Sequence, residues 1–309
     1  MVLGAGSGRR VCGCLLVVVV LSVLLGAPSA GAAPPSRDLA AYTGLGTWLD
    51  IYASKSAWRH PERQVAAMAR DGARTLYLQT GNYKQSVDVV RRRAQGRFID
   101  AAHAAGMRVV AWYLPSFSRA GQDERRALAA IDFQSPSGES FDGFALDIEA
   151  TLVRPLRLRN QRLLQLSSRL RAAVGPSYAL GAITPSPIGM SPSYWPGIPY
   201  RALARSFDVF LPMAYSTYRV HGSRATLAYL SATVGAVRAA SGNPDVPIHL
   251  IGGLSGGMGA GETAGFMRAV ARCAPLGFSL YAFPRTSRAA WTALTAPVPA
   301  PVAGRRSCT

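Results

Sequence analysis

The alternation of two kinds of segment along the chain is the feature that most constrains its fold. Short apolar segments rich in β-branched and aromatic residues alternate with amphipathic segments rich in Ala and Arg. This order is typical of a parallel sheet whose strands are connected by helices. Eight segments have strand character, at residues 45–52, 74–80, 107–115, 141–149, 178–184, 208–216, 247–254 and 277–284. Helical segments follow them at 61–72, 96–106, 123–131, 154–171, 200–207, 225–241, 261–274 and 287–294.

Eight strand–helix units in about 250 residues match the size of a closed (β/α)8 barrel of the TIM type. We therefore predict an α/β chain with one barrel domain over residues 44–296. The alternative is an open doubly wound sheet, which usually carries a glycine-rich phosphate turn after its first strand. The sequence YASKSAWRHP follows the first strand here, so the barrel is favoured.

The two ends of the chain are predicted to lie outside the barrel. Arg9 and Arg10 precede an apolar run over 11–25, and small residues with candidate cleavage sites follow, so residues 1–33 indicate a secretory signal peptide. Residues 34–43 are a short linker, and 297–309 are a C-terminal tail. No later segment is long and apolar enough to cross a bilayer. The sequence thus predicts a protein that is secreted or associated with the cell envelope.

The charge of the chain bears on its partners. The formal net charge is +18, and nearly all of the excess comes from arginine, because Lys55 and Lys84 are the only lysines. Such a charge favours attraction to anionic polymers of the cell envelope. Specific nucleic-acid binding would require a basic cluster interleaved with exposed aromatic residues, and the arginines are spread over predicted helix faces. We therefore predict no specific nucleic-acid partner.

Two cysteines, Cys273 and Cys308, remain after removal of the predicted signal peptide. In an oxidising compartment they would form a disulfide that ties the tail to the last helices. Alternatively, Cys273 is an inert buried thiol and Cys308 is exposed. Geometry decides between the two, so both stay open at the level of sequence.

The fourth predicted strand contains acidic residues in an apolar segment, FDGFALDIE. Because side chains alternate along a strand, Ala145, Asp147 and Glu149 share one face and the apolar residues between them share the other. The apolar face is expected to pack against helices, which directs the acids toward the mouth of the barrel. The active sites of such barrels lie at the carboxyl ends of the strands.

Two carboxyl groups so close together in a partly dry site favour one protonated acid beside an ionised partner. That combination is suited to cleavage of a glycosidic bond. The alternatives are a structural carboxylate paired with an arginine, or a metal site. The four histidines show no metal-ligand spacing, and the sequence predicts no cofactor and no metal.

The same segment resembles the signature of glycoside hydrolase family 18, the chitinase-like barrels, in which a strand reads apolar-Asp-Gly-x-Asp-x-Asp-x-Glu. Asp142, Gly143, Asp147 and Glu149 occupy matching positions. The later segment PMAYS is similar to the Met-x-Tyr element of that family, with Met213 and Tyr215. The resemblance implies that Glu149 is the general acid, that Asp147 orients a substrate acetamido group, and that Tyr215 binds the carbonyl of that group. The acetamido oxygen would then be the nucleophile.

The chain departs from the family pattern at several positions. Ala145 replaces another Asp, Ser216 replaces the Asp or Asn that follows the tyrosine, and YAFPRTS lacks the tryptophan of the last strand. These departures point away from chitin as the substrate. The predicted function is a secreted glycoside hydrolase that acts on an extracellular or envelope polysaccharide with Glu149 as acid. The alternative is a degenerate, non-catalytic glycan-binding barrel.

Further candidates lie at the predicted strand ends. Asp50 would be a nucleophile or base opposite Glu149 in a two-carboxylate mechanism, or else an Asp that caps a loop. Several residues would contact sugar rings or else fill the upper barrel layer, with Trp112 the preferred stacking residue: Trp48, Tyr52, Tyr77, Gln79, Trp112, Tyr113, Met213 and Tyr281. The long loops 185–199 and 216–224 are expected to wall the cleft with Tyr194, Trp195, Tyr218 and His221.

Overall fold

The structure, a computed structural model, describes residues 1, 2, 4–6, 8, 38–297 and 308. The chain divides into two units, Met1–Pro35 and Ser36–Thr309, and the barrel lies in the second. Most of the predicted signal peptide, part of the linker and most of the C-terminal tail lie outside the described residues, so these assignments remain predictions. No helix in the described part of the chain is long and apolar enough to cross a membrane.

Eight parallel strands close into a barrel in sequence order, which confirms the predicted fold. The strands are β1 (Gly44–Leu49), β2 (Thr75–Asn82), β3 (Arg108–Leu114), β4 (Gly143–Asp147), β5 (Leu180–Pro185), β6 (Val209–Met213), β7 (His249–Leu254) and β8 (Gly277–Tyr281). The barrel closes where β1 pairs with β8.

The helices lie along the chain between and after these strands. They are α1 (Lys55–Arg59), α2 (Pro61–Arg70), α3 (Arg92–Ala104), α4 (Ala120–Ile131), α5 (Leu156–Val174), α6 (Tyr200–Leu203), α7 (Ser223–Ser241), α8 (Ala260–Cys273) and α9 (Arg288–Thr295). The short α1 was not predicted; it begins after Ser54, whose hydroxyl accepts a hydrogen bond from the Ala57 N–H. The predicted helix at 200–207 is wrong in length, because regular α-helix ends at Leu203.

Side-chain alternation divides the strands into an outer and an inner face, as predicted. Phe144, Leu146 and Ile148 are fully buried among the residues that pack against the helices. Ala145 belongs to a second cluster inside the barrel. It is fully buried, and its neighbours in the sheet are Trp112 and Gly181. This alternation sets the direction of every side chain that follows on β4.

A polar network fills the middle of the barrel interior. Trp48 stacks on Tyr77 with ring centroids 4.2 Å apart, and its indole N–H donates to the Ser279 hydroxyl at 2.8 Å. His249 is hydrogen-bonded to the Tyr77 hydroxyl at 2.9 Å and to Ser279 at 2.9 Å. Burial lowers the pKa of His249 to about 4, so its imidazole is neutral at physiological pH. The network forms a closed layer beneath the barrel mouth.

Cys273 and Cys308 form a disulfide, which decides between the two alternatives for these residues. Cys273 is the last residue of α8, and both cysteines are buried. The bond therefore holds residue 308 against the barrel.

Candidate active site at the barrel mouth

The acidic pair lies where strand parity predicts. Asp147 is the last residue of β4, and Glu149 follows two positions later at the carboxyl end of the barrel. Asp147 is buried and Glu149 is half-buried. Because the outward positions Phe144, Leu146 and Ile148 are held by helix packing, both acids must project from the inner face of the strand. The packing of the apolar side chains on one face of the strand thus determines the direction of the acidic side chains on the other face.

Neither carboxyl group of the pair has a cationic partner among the described residues. Asp147 Oδ1 is buried and accepts no hydrogen bond. Burial, and next the neighbouring Glu149 charge, raise the pKa of Asp147 well above its usual range. Burial also raises the pKa of Glu149. Two adjacent carboxyls with raised pKa values retain protons at a higher pH than ordinary acids do, which is the condition for general acid catalysis near neutrality.

A cleft opens above the pair and has two compartments. One compartment is a cavity of about 420 Å³ that contains both acids. A second cavity, of about 270 Å³, shares Glu149, Met213 and Tyr215 with the first and extends toward the loop after β5. Glu149 therefore lies at the junction of the two compartments, where a chain passing from one to the other would present a bond to its carboxyl group.

Tyrosines surround the acids. Tyr215 follows β6, and burial together with the charges of Asp147 and Glu149 raises its pKa well above the usual value. Its hydroxyl makes no hydrogen bond within the part of the chain that the structure describes, so it is available to a ligand. The Tyr194 hydroxyl donates to the Glu149 backbone carbonyl at 3.0 Å. The loop after β5 thereby supports the backbone that carries the predicted acid.

Asp50 is not part of the cavity that contains the pair. It lies at the end of β1 in a separate cavity, where it accepts hydrogen bonds from the Tyr281 hydroxyl and from the Tyr52 N–H, the latter at 2.8 Å. These contacts match the loop-capping alternative. They do not support the two-carboxylate arrangement opposite Glu149, because both oxygens of the Asp50 carboxyl group already accept hydrogen bonds from the protein.

The other predicted sugar contacts fall into two groups. Gln79, Trp112, Met213 and Tyr281 line the cavity of the acidic pair, and Tyr52 does so as well. Trp48, Tyr77 and Tyr113 do not; they are almost completely buried, the first two in the network beneath the mouth and Tyr113 against Asp123. The burial of Trp48 and Tyr77 favours the alternative that they fill a layer of the barrel, because they lie on the predicted face but one layer deeper than the mouth.

Trp112, the preferred stacking residue, lines the cavity but is only 5% exposed. Its indole N–H is buried without a hydrogen-bond partner among the described residues. A ring that is so little exposed presents little of its face to the cavity, so stacking of a sugar on Trp112 stays a prediction.

The two long loops contribute unequally. Tyr194 and Tyr218 line the cleft, as predicted. Trp195 does not, because it is fully buried and packs edge-on against Phe117. His221 is exposed and lines neither compartment.

Three consecutive residues that line the cavity of the acidic pair were not predicted from the sequence: Asn82, Tyr83 and Lys84. β2 extends to Asn82, two residues beyond its predicted end, through a shift in register between Gln79 and Gly81. The polar segment GNYK directly after the apolar part of β2 was the signal that could have identified them. No group of His, Cys, Asp and Glu able to hold a metal ion is present within the described residues.

No protein-family model matches the chain, and a search of curated proteins finds no match. Solved structures do match. A chitinase from Chromobacterium violaceum is 13% identical with a TM-score of 0.53, over 82% of this chain and 98% of that chain. A class V chitinase from Pseudomonas fluorescens is 12% identical with a TM-score of 0.56, over the same shares.

The spore cortex-lytic enzyme SleL from Bacillus cereus is 8% identical with a TM-score of 0.59, over 82% of this chain and 73% of that chain. At such low identities the similarity shows the fold and carries no evidence of activity. The predicted resemblance is confirmed at that level: this chain has the fold of the chitinase-like (β/α)8 barrels.

Proposed function

We propose that the protein is a glycoside hydrolase that cleaves an extracellular or cell-envelope polysaccharide, with Glu149 as the general acid. The observation that carries the proposal is the pair Asp147 and Glu149, which lies in a cleft, has no cationic partner among the described residues, and has raised pKa values. A structural carboxylate would be expected to have a partner, because burial of an unpaired charge is costly.

The proposed reaction begins with transfer of the Glu149 proton to the glycosidic oxygen. The bond between that oxygen and the anomeric carbon breaks, and an acetamido oxygen of the substrate forms the new bond to the anomeric carbon. Water then attacks this carbon, gives its proton to Glu149, and releases the acetamido oxygen. Asp147 would orient the acetamido N–H, and the unoccupied Tyr215 hydroxyl would donate to its carbonyl oxygen.

The open shape of the cleft supports a polymer as substrate. Because Glu149 lies between two compartments, sugar units would lie on both sides of the cleaved bond. The lining contains two exposed tyrosine rings, Tyr52 and Tyr218. It also contains hydroxyl, amide and ammonium groups from Tyr215, Asn82 and Lys84. These groups favour a hydrophilic glycan whose substituents accept hydrogen bonds.

The second candidate is a glycan-binding barrel without catalysis, and Ala145 is the observation that favours it. This residue is fully buried on the inner face of β4, two residues before Asp147. Asp147 therefore has Glu149 as its only acidic neighbour on this strand face. A barrel that kept the cleft and lost turnover would still bind sugar.

Glu149→Gln separates the two candidates. Loss of a general acid is expected to lower hydrolysis by about 10²- to 10⁴-fold in a polysaccharide panel, with an unchanged Tm. The matched control is Glu139→Gln, an exposed acid at the opposite end of β4, which should keep full hydrolysis. Full activity of Glu149→Gln would refute the proposed acid, whereas sugar binding by the wild-type protein without turnover on any polysaccharide would favour the glycan-binding candidate.

A further inference from the structure

A groove on the rim of the barrel collects basic residues from two neighbouring segments. It is a surface cavity of about 980 Å³ between α1 and the first turns of α3. No acidic residue lines it. We call it the basic groove, and its cationic lining residues are Lys55, Arg59, Arg91, Arg92, Arg93 and Arg97. From the sequence, the arginines were predicted to be spread over helix faces. In this groove the fold brings together basic residues of two segments that lie about 40 positions apart in the chain.

Several of these arginines are held in place by the protein. The Arg91 guanidinium donates to the Ile51 carbonyl at 2.9 Å and lies over the Trp58 ring at 4.9 Å. Arg92 lies over the Phe133 ring at 4.8 Å. Side chains that are already ordered lose less conformational entropy when a ligand binds. The groove is therefore partly preorganised for an anion.

The charge of the groove exceeds what a single small anion could balance. Glu62 is the one acid that pairs with a lining residue, through two short hydrogen bonds from Arg97. Five of the six cations thus have no acidic partner within the described residues. A guanidinium presents a planar fork that binds phosphate oxygens in a bidentate manner. Repeated phosphates on one linear chain would match this set of forks.

The groove offers no surface for nucleic-acid bases. Among the described residues, Trp58 is its only aromatic lining residue, and it is 4% exposed with Arg91 above its ring. Single-stranded nucleic acids are usually bound by aromatic faces on which the bases stack. The geometry thus favours a backbone of phosphates without bases.

We propose that the basic groove is a binding site for a linear phosphate polymer that carries no bases. The groove shares no lining residue with the two compartments of the cleft. It lies on the same rim, because the loops after β1 and β2 supply Tyr52 and Tyr83 to the cleft and then continue into α1 and α3. Binding there would hold the barrel mouth against an anionic polymer, whether or not the cleft is catalytic.

The test measures binding of fluorescein-labelled inorganic polyphosphate by anisotropy at several salt concentrations. The test variant is Lys55→Glu with Arg93→Glu, because both side chains are exposed and have no hydrogen-bond partner within the described residues. The control is Arg224→Glu with Arg268→Glu, which changes the net charge equally at exposed positions on α7 and α8. The test variant should lose at least about tenfold in affinity and show a shallower salt dependence. The control should stay within about twofold of wild type.

Equal weakening in both variants would overturn the proposal, because net charge alone would then explain binding. So would the absence of wild-type binding at physiological salt, tighter binding of single-stranded DNA, or binding only to vesicles that contain phosphatidylserine. Glu149→Gln should bind polyphosphate like wild type, which keeps this test independent of the proposed hydrolysis.

Discussion

The two ends of β4 carry acidic residues in opposite circumstances. At the amino end, Asp142 accepts hydrogen bonds from Arg108 at 2.8 Å and from the Val109 N–H at 2.7 Å, and it lies 2.9 Å from His103 Nε2. At the carboxyl end, the carboxyl groups of Asp147 and Glu149 are not paired with a cation in the part of the chain that the structure describes. The same strand is thus flanked by one acid whose carboxyl group is bound by the protein, and it carries at its other end two acids whose carboxyl groups can still accept hydrogen bonds.

The same contrast holds on a second strand. Asp208 precedes β6 at the amino end of the barrel, where it pairs with Arg171 at 2.5 Å and accepts from the Leu180 N–H at 2.8 Å. Tyr215, beyond the other end of β6, has a hydroxyl without a protein partner among the described residues. Asp142 and Asp208 at the amino end thus have protein partners, whereas Asp147 and Tyr215 at the carboxyl end present polar groups without one among the described residues, and active sites in this fold lie at the carboxyl end.

The largest expected effect is on the rate of hydrolysis, when the acid at each end of β4 is replaced by its amide. Asp147→Asn should lower polysaccharide hydrolysis by about 10²-fold, because it removes the carboxyl group beside the acid. Asp142→Asn should leave hydrolysis within about twofold of wild type. Initial rates on the best substrate from the panel measure both. Equal losses in the two variants would abolish the functional distinction between the ends.

The next effect is on stability, and here the acid at the amino end is expected to matter more than the acid at the carboxyl end. Asp142→Ala should lower the free energy of unfolding by about 2 kcal/mol, because Arg108, His103 and the Val109 N–H lose an acceptor. Urea unfolding measures the change. Asp147→Asn should not lower stability at pH 7. A loss of about 2 kcal/mol in Asp147→Asn would mean that this carboxylate is structural.

The pH dependence of stability sharpens the comparison further. The pKa of Asp147 is raised by folding, so the folded state holds this proton more tightly and wild-type stability falls as the pH rises from the unfolded-state value toward the folded-state value. Asp147→Asn cannot lose that proton. The Tm of Asp147→Asn should therefore be equal to or slightly below that of wild type near pH 4, and above that of wild type at pH 7. A difference in Tm that is independent of pH would contradict the raised pKa.

The smallest effect is expected at His103. Burial lowers the pKa of His103, but hydrogen bonds and charges from Asp142 and Glu139 outweigh it, so the pKa is raised on balance. This stabilisation is complete below the unfolded-state pKa and disappears as the pH rises through the folded-state value. His103→Gln should thus lower Tm more at pH 5.5 than at pH 8. A larger loss at pH 8 would refute the raised pKa.

The sequence was sufficient to predict the barrel, since the alternation of segments and the parity of β4 determine strand number and side-chain direction. It was also sufficient to place Asp147, Glu149 and Tyr215 in one cleft. It was insufficient to predict how deep in the barrel a side chain lies. Alternation along a strand shows which face a residue occupies, but it does not show the position of that residue along the barrel axis. For that reason Trp48 and Tyr77 were assigned to the mouth, although they pack beneath it.

Position after a strand was equally ambiguous for Asp50 and Trp195. Asp50 faces Tyr281, and Trp195 points into a core of helices; both outcomes depend on loop paths that no local pattern encodes. The basic groove required the tertiary structure as well, since the pairing of β1 with β2 brings α1 and the start of α3 together.

The disulfide between Cys273 and Cys308 has a consequence for biosynthesis. Its second cysteine comes 35 residues after the first and follows the last helix, α9. On a ribosome or in an export channel, the bond cannot close until every strand of the barrel has been made and has emerged. Oxidation of this pair therefore marks a chain in which all eight strands have been made. A chain truncated after α9 would keep a free thiol at Cys273.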